Sequence, residues 1–368
     1  MVDLRIRRSL LASKPLGIAV IGMGFGGRVQ VPVFVAHPDT RVVSICSGTR
    51  ARAERTAIEF GIEHFTDDFR LSVARPDVDV VSVVTPPHLH LPLVLEAFAN
   101  GKHVLCEKPF ALNASGAKAM LAAAKRAKRL GMLDHEFRFL PARSRLKELI
   151  DDNWLGEVQR IAVVECSPWM AKGSTLPFGW QSQKKLGGGL LGALGSHYID
   201  FCRWIGGEVR EVSAVLETRV KKRRSADGRL ADVDADDNFS LTLRTARGAL
   251  ASVNLSATVN AQLSSIRVLG SNGALHIRGD ELFGLRAGRE PVPVTTPSKV
   301  PPKLFAGGHH LMGPFYLLVT QMVGQIRGEP SAVPTFEDGL RIQEVIDAAR
   351  ASSRSGRTLK LSRKRGSS

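Results

Sequence analysis

Acidic side chains are scarce in this chain: 35 Asp and Glu stand against 51 Lys and Arg, a formal net charge of +16. An excess of that size draws anions to a surface, so nucleic acid, acidic lipid and phosphate-bearing ligands all come into question. Part of it is gathered in three short segments, Arg5 to Arg8, Lys221 to Arg224 and Arg363 to Arg365, and none is interleaved with the aromatics that a base-stacking platform needs. The charge therefore reads as solvated ends and a loop, and no nucleic-acid partner is expected. Cysteine is sparse too. Cys46, Cys106, Cys166 and Cys202 form no C-x-x-C pair and have no histidine cluster beside them, which argues against a disulfide framework and against any metal site. They lie in apolar stretches such as Val42 to Cys46, where a thiol behaves as a small buried hydrophobe, as suits a reducing cytoplasm. Long hydrophobic runs are missing as well: nothing approaches about 18 consecutive apolar residues, so no membrane-spanning helix is expected. The double arginine of the opening MVDLRIRRSLLASKP precedes only a short apolar patch and reads as an unexported leader before a first strand at Leu16.

What is present is enough for two cores, since 368 residues, 43% of them hydrophobic, exceed what one core organises. From Leu16 to about Arg138, β-branched runs alternate with longer helical stretches, the rhythm of βαβ units feeding a parallel sheet. Strands are predicted at Leu16 to Gly22, Arg41 to Ser47, Val78 to Thr85, His103 to Cys106 and Met132 to Phe137, with Asn113 capping one helix at its start and Gly131 at its end. Residues 1–139 thus read as an α/β, doubly wound Rossmann domain. After Pro141 one helix to about Asn153 gives way to strand-like segments: Glu157 to Glu165, Val209 to Val220, Asn238 to Arg244, Ala249 to Asn260 and Ser265 to Leu269. Gly248 and Asn272-Gly273 supply turns, so residues 140–368 read as a second α/β domain with an open, mostly antiparallel sheet. The polar stretch Ser225 to Asp237 and the Pro-, Gly- and Lys-rich Pro291 to Gly308 are predicted loops, followed by helices at Met312 to Arg327 and Phe336 to Ser353.

Directly after the first strand, Gly22-Met23-Gly24-Phe25-Gly26-Gly27 supplies G-x-G-x-x-G. Its first Gly can make the turn, its second admits a pyrophosphate, and its third packs helix on strand. Ligand-free turns use glycine as well, but this placement between strand and helix is the one a dinucleotide site requires. The second strand of such a fold normally ends in a carboxylate for the ribose 2'-hydroxyl of NAD; here Ser47-Gly48-Thr49-Arg50 stands in that place. The hydroxyls of Ser47 and Thr49 and the guanidinium of Arg50 suit a 2'-phosphate, favouring NADP over NAD. A plainer reading makes Arg50 the start of a solvated helix with Arg52 and Arg55.

Two further motifs fall at predicted strand ends: Thr85-Pro86-Pro87-His88-Leu89-His90, and Gly101 to Pro109 with its Glu107-Lys108-Pro109. Together with the glycine loop, Phe137-Arg138-Phe139, Arg145 to Ile150, Gly187 to Gly207 and Asp338-Gly339-Leu340, they resemble the glucose-fructose oxidoreductase, inositol dehydrogenase and MocA family over nearly the whole chain. The resemblance implies a dinucleotide-binding Rossmann domain, a substrate domain that pairs through its sheet face into homodimers or homotetramers, and hydride exchange with a carbohydrate or polyol. It places Lys108 beside the nicotinamide, where an ammonium stabilises a developing alkoxide, with Thr85, Pro86, His90 and Glu107 around it.

His197, within Gly187 to Asp200, is the acid-base candidate, because an imidazole accepts and returns a proton near neutrality. A buried histidine bonded for structure is the plainer reading. The family pattern has an Asp four residues earlier; this chain has Ala193, so His197 lacks a neighbour that would orient it and raise its pKa. Asp200 is too far round the helix to replace that group and is expected to anchor it, while His309 and His310 read as loop residues. Substrate contacts are expected from second-domain loops such as Trp169 to Lys185. Two rival functions stay open: glycoside cleavage assisted by a bound NAD, and a cofactor-sensing regulator with weakened chemistry.

Overall fold

A computed structural model describes residues 14–301 and 304–361. Residues 1–13 of the proposed leader, and Arg363 to Arg365, lie outside the described residues. The first strand, β1 (Leu16–Ile21), is buried from Gly17 onward, on both faces at once. Apolar runs of this kind stay out of water only in a sheet covered by helices on each side. A π-type turn (Gly26–Gln30) leads into α1 (Val31–Ala36), then β2 (Thr40–Cys46), α2 (Arg50–Phe60), β3 (Phe65–Thr66), α3 (Phe69–Val73), β4 (Val80–Val83), α4 (His90–Ala99), β5 (His103–Cys106), α5 (Ala114–Ala127) and β6 (Gly131–Leu133). The six strands form one parallel sheet in the order β3-β2-β1-β4-β5-β6. The order reverses between β1 and β4, so a crevice opens at their carboxyl ends, where doubly wound sheets hold ligands.

Asn113 caps α5 as expected, its side chain accepting the Gly116 N–H at 3.0 Å, but the left-handed residue that ends the helix is Lys128, not Gly131. Gly131 already belongs to β6 and is small for another reason: a Cβ there would lie 2.6 Å from the Phe336 ring. β6 is shorter than its hydrophobicity predicts. It stops at Leu133, and Glu136–Phe139 wind into a 3-10 turn.

The rest of the chain runs α6 (Pro141–Asp151), β7 (Val158–Cys166), α7 (Ser196–Gly206), β8 (Val209–Glu217), β9 (Lys222–Arg224), β10 (Leu230–Asp232), β11 (Asn238–Thr245), β12 (Leu250–Ser256), β13 (Leu263–Gly270), β14 (Gly273–Arg278), β15 (Glu281–Leu285), β16 (Val292–Val294), α8 (Met312–Ile326), α9 (Phe336–Ser355) and β17 (Leu359–Lys360). Nine strands form a second sheet, β16-β15-β14-β13-β7-β12-β11-β8-β17, antiparallel except between β7 and β12. Two predicted loops carry strands: β10 pairs with β9 as a separate hairpin, and β16 edges the large sheet. Both are three residues long, too short for a period of two to register. On that hairpin Arg223 is buried with its guanidinium on the Met170 carbonyl, so this part of the basic excess is not a solvated face.

On β11, Phe239, Leu241 and Leu243 are buried while Ser240, Thr242 and Arg244 are exposed, the alternation of a sheet covered on one side. The C-terminal helices tie the two sheets together. α8 returns to the parallel sheet, where Phe315 meets Phe34 edge-on at 5.4 Å between centroids. α9 seats Phe336 against Phe98 and Phe110, and a Cβ at Gly339 would come within 2.7 Å of the Phe110 ring. No helix among the described residues is long and apolar enough to cross a membrane.

Candidate active site

The glycine turn at the end of β1 divides its work by position. Gly22 has a φ of +111°, and a Cβ there would sit 2.4 Å from the carbonyl oxygen of Val84. Only glycine lets the chain turn this close to the end of β4. At Gly24 a Cβ would meet nothing within 4 Å, so the backbone faces open space just before the first helical turn. At Gly27 it would touch Thr56 of α2 at 3.6 Å, the close packing asked of the third glycine. Met23 is buried, and Phe25 stands edge-on to His309, 5.9 Å between centroids. Across the crevice the Thr85 hydroxyl is buried without a partner, with Pro86 beside it. An open glycine backbone at a helix start and an unmatched hydroxyl opposite fit a dinucleotide.

At the end of β2, Ser47 is buried while Thr49 and Arg50 are exposed, and the Arg50 guanidinium lies 5.2 Å from the Phe65 ring centroid. Residues 47–50 hold no carboxylate, while Asp67 and Asp68 follow β3, which pairs with the end of β2.

Below the crevice lies a buried acidic cluster that the periodicity does not announce. Gln30, wholly buried, donates from Nε2 to Glu107 Oε1 and to Asp134 Oδ2, each at 2.9 Å, and accepts the Ser82 hydroxyl at 2.6 Å. Glu136 completes the group, also buried. Burial, and then the charges of Glu136 and Glu107, hold Asp134 well above the ordinary aspartate value. Two expectations are corrected here. Glu107 turns its carboxylate inward to Gln30 and to its neighbour's N–H, and not into the cofactor crevice. His90 is fully buried with its ring nitrogens 2.8 Å from Thr85 O and 3.1 Å from Phe110 O, so it braces the two strand-end loops from behind.

Lys108 and the helix of His197 do come together. Lys108 follows β5, with a cis peptide to Pro109, and its Nζ donates to the carbonyl of Ala193 at 3.2 Å, one turn before His197. The start of that helix is pinned by Asp236, whose carboxylate accepts the Leu191 N–H at 2.7 Å. Asp200 anchors its far side: Arg138 binds it through Nε at 2.7 Å and Nη2 at 2.5 Å, with Arg203 nearby at 3.9 Å.

His197 is 2% exposed. Phe137 stacks on its ring at a centroid distance of 3.8 Å, and its Nδ1 lies 3.2 Å from Nδ1 of His135. One of those nitrogens must carry the shared hydrogen and the other accept it, while Nε2 of each ring has no partner. Burial, then the charges of Lys108, His135 and Arg143, keep His197 well below the usual histidine value. His135 is lowered to about 4, burial first. A histidine thus stands beside His197 in a helix that lacks the family's aspartate. Sequence reading missed His135, Glu136, Arg143 and Asp236. The rule that ligands gather at carboxyl ends of parallel strands, applied to β6, points to the first two; Asp236 lay hidden in a stretch read as an acidic loop.

A family model described as "Oxidoreductase family, NAD-binding Rossmann fold" matches residues 16–135, and one for the GFO/IDH/MocA C-terminal domain matches residues 144–276. Glucose-fructose oxidoreductase domain-containing protein 2 of Mus musculus is 31% identical, over 92% of this chain and 92% of its own length. Levoglucosan dehydrogenase of Pseudarthrobacter phenanthrenivorans is 30% identical over 73% of this chain and 75% of that protein. Among solved structures, a levoglucosan dehydrogenase in complex with NADH and L-sorbose superposes with a TM-score of 0.86 at 26% identity, over 95% of this chain and 100% of the other. In sequence and in fold, the chain belongs to the glucose-fructose oxidoreductase, inositol dehydrogenase and MocA family of oxidoreductases.

Proposed function

We propose that this oxidoreductase moves hydride between a nicotinamide dinucleotide and the CH–OH carbon of a sugar, polyol or related carbonyl compound, and that it prefers NADP to NAD. The observation that carries the reading is the meeting of Lys108 with the helix of His197, at the strand ends beside an open glycine turn. The dinucleotide, held by Gly22 to Gly27, Ser47, Thr49, Arg50 and Thr85, supplies the hydride chemistry when bound. The protein's own residues manage charge and protons. Lys108 stabilises negative charge growing on the substrate oxygen. His197 receives the hydroxyl proton at Nε2 while its Nδ1–H is donated to His135, which thereby fixes the tautomer an aspartate would otherwise fix. Phe137 keeps water off one face of the imidazole. The levoglucosan dehydrogenase complexes with NADH, L-sorbose and levoglucosan support a carbohydrate as substrate.

In this reading residues 1–139 carry the cofactor and residues 140–368 shape the substrate pocket and pair copies into a homodimer or homotetramer, in a cytoplasm that keeps the four free cysteines reduced. Purified protein given NAD or NADP with sugars and polyols should develop the absorbance of reduced nicotinamide, and Arg50→Ala should weaken NADP while sparing NAD. Equal affinity for the two dinucleotides would remove the NADP preference. Ala193 together with two depressed histidines favours a second reading, a cofactor-sensing protein with little turnover; tight dinucleotide binding without turnover of any sugar would select it.

A further inference from the structure

A cavity of about 1590 Å³ opens between the start of α6, the start of α8 and the β7, β13 and β14 strands. Its wall includes Phe137 and Tyr198, the ring stacked on His197 and the residue next to it. Arg143, Arg267 and Arg278 with His276 and His310 face two carboxylates, Glu165 and Asp280. Glu165 is already engaged, accepting the Tyr198 hydroxyl and the Ser264 hydroxyl, the latter at 3.2 Å.

Arg143 is the unusual member. It is 6% exposed, and its guanidinium lies 4.7 Å from the Phe137 ring centroid, 4.9 Å from Tyr198 and 5.8 Å from Phe201. Nη2 donates to the Tyr198 hydroxyl at 3.2 Å, but Nη1 has no hydrogen-bond partner, and no carboxylate oxygen of the described residues lies within 4.0 Å of the group. Aromatic faces attract a cation and shed water, yet they offer no acceptor for its N–H groups. A buried guanidinium left in that state is costly, and its planar fork is matched by the two oxygens of a carboxylate or phosphate. Arg203, also buried, and the half-buried Arg138 each hold a carboxylate, and the buried Arg223 rests its guanidinium on the Met170 carbonyl, whereas Arg143 has a single hydroxyl acceptor. Arg143 thus carries an unmatched guanidinium edge, set in the wall of a cavity that Phe137, the ring stacked on His197, also lines.

We propose that the substrate is an anionic sugar or polyol whose carboxylate or phosphate is bound by Arg143 in this cavity. The proposal rests on the dehydrogenase reading above and adds the substrate's charge to it. Glucose, gluconate, glucuronate, glucose 6-phosphate and inorganic phosphate, titrated calorimetrically into the protein with NADH present, separate the two claims. Dinucleotide binding is measured first, and its loss would overturn the dehydrogenase reading itself. With NADH bound, at least one oxyanion sugar should bind tenfold or more tightly than glucose, with gluconate against glucose 6-phosphate deciding between carboxylate and phosphate. Arg143→Met should abolish that difference and leave NADH affinity unchanged. Arg143→Lys, which keeps the charge but not the fork, should retain part of it and covers the case in which the Met variant does not fold. Glucose bound as tightly as every oxyanion sugar, or a preference that survives Arg143→Met, would overturn the proposal and leave the hydride chemistry standing.

Discussion

Gly22 and Gly24 stand two residues apart in one turn, yet a methyl group should act oppositely on the fold at the two sites. Gly22→Ala forces a side chain onto a φ of +111° and sets its Cβ 2.4 Å from the Val84 carbonyl oxygen. Strained backbone of that kind costs about 1–3 kcal/mol, and overpacking against a neighbour that cannot step aside costs about 1–3 kcal/mol more. Against a total stability on the order of 5–15 kcal/mol, that is a large fraction. Gly24→Ala meets nothing within 4 Å and has no left-handed φ to strain. There the methyl mainly restricts the unfolded chain, a gain of about 0.4–1 kcal/mol. It also stands where a pyrophosphate must approach the backbone, so NADH affinity should drop at least tenfold, about 1.4 kcal/mol. Thermal melts followed by circular dichroism, with NADH fluorescence titrations on the same samples, read both effects. Gly22→Ala should melt well below the parent protein, and Gly24→Ala at or slightly above it with weakened NADH binding. A Gly24→Ala protein that binds NADH as tightly as the parent would refute the assignment of this turn to the diphosphate.

Three further outcomes follow from the buried charges. Ala193→Asp restores a carboxylate one turn before His197 and should raise that histidine's pKa by about 1–3 pH units; the acid limb of the kcat profile for alcohol oxidation then moves to higher pH, and an unmoved limb would remove His197 as the base. Asp134 has a folded-state pKa above its unfolded value, so its contribution favours the fold at low pH and is lost as pH rises through the folded value. Asp134→Asn escapes that loss, so its melting temperature should exceed the parent's at pH 8 and converge on it near pH 4, with about 1.4 kcal/mol for every pH unit that separates the folded and unfolded values; a difference independent of pH would contradict the raised pKa. Arg138→Met strips the buried Asp200 of its two-pronged partner and should cost about 3–5 kcal/mol in chemical denaturation, with part recovered in the double variant Arg138→Met, Asp200→Asn. No recovery would mean that the lost stability came from packing on Trp204 and not from the stranded charge.

The parallel half was legible because its signals are local. Five of its six strands fall in short apolar runs, the glycine turn follows the first of them directly, and Asn113 announces its helix, while the two-residue β3 went unpredicted. Lys108 was singled out the same way, from a motif at a strand end, and the structure sets it against the helix of His197. What stayed hidden depends on contacts between distant segments. His135 meets His197 across 62 positions, Gln30 reaches Asp134 across 104, and Asp236 pins a helix 45 residues before it. Gly131 misled for the same reason, since a glycine after a helix signals a cap unless a ring from residue 336 needs the space. Glu107 and His90 belong to a recognisable motif, but the motif does not say which way a side chain turns, and both face the interior.

The whole account requires that a nicotinamide dinucleotide bind at the glycine turn between β1 and α1. NADH titrated into the full-length protein, read by nicotinamide fluorescence, should saturate at one molecule per chain with a Kd of about 100 µM or tighter, near −5.5 kcal/mol or better. Folded protein that showed no saturable signal with NADH or NADPH would contradict it.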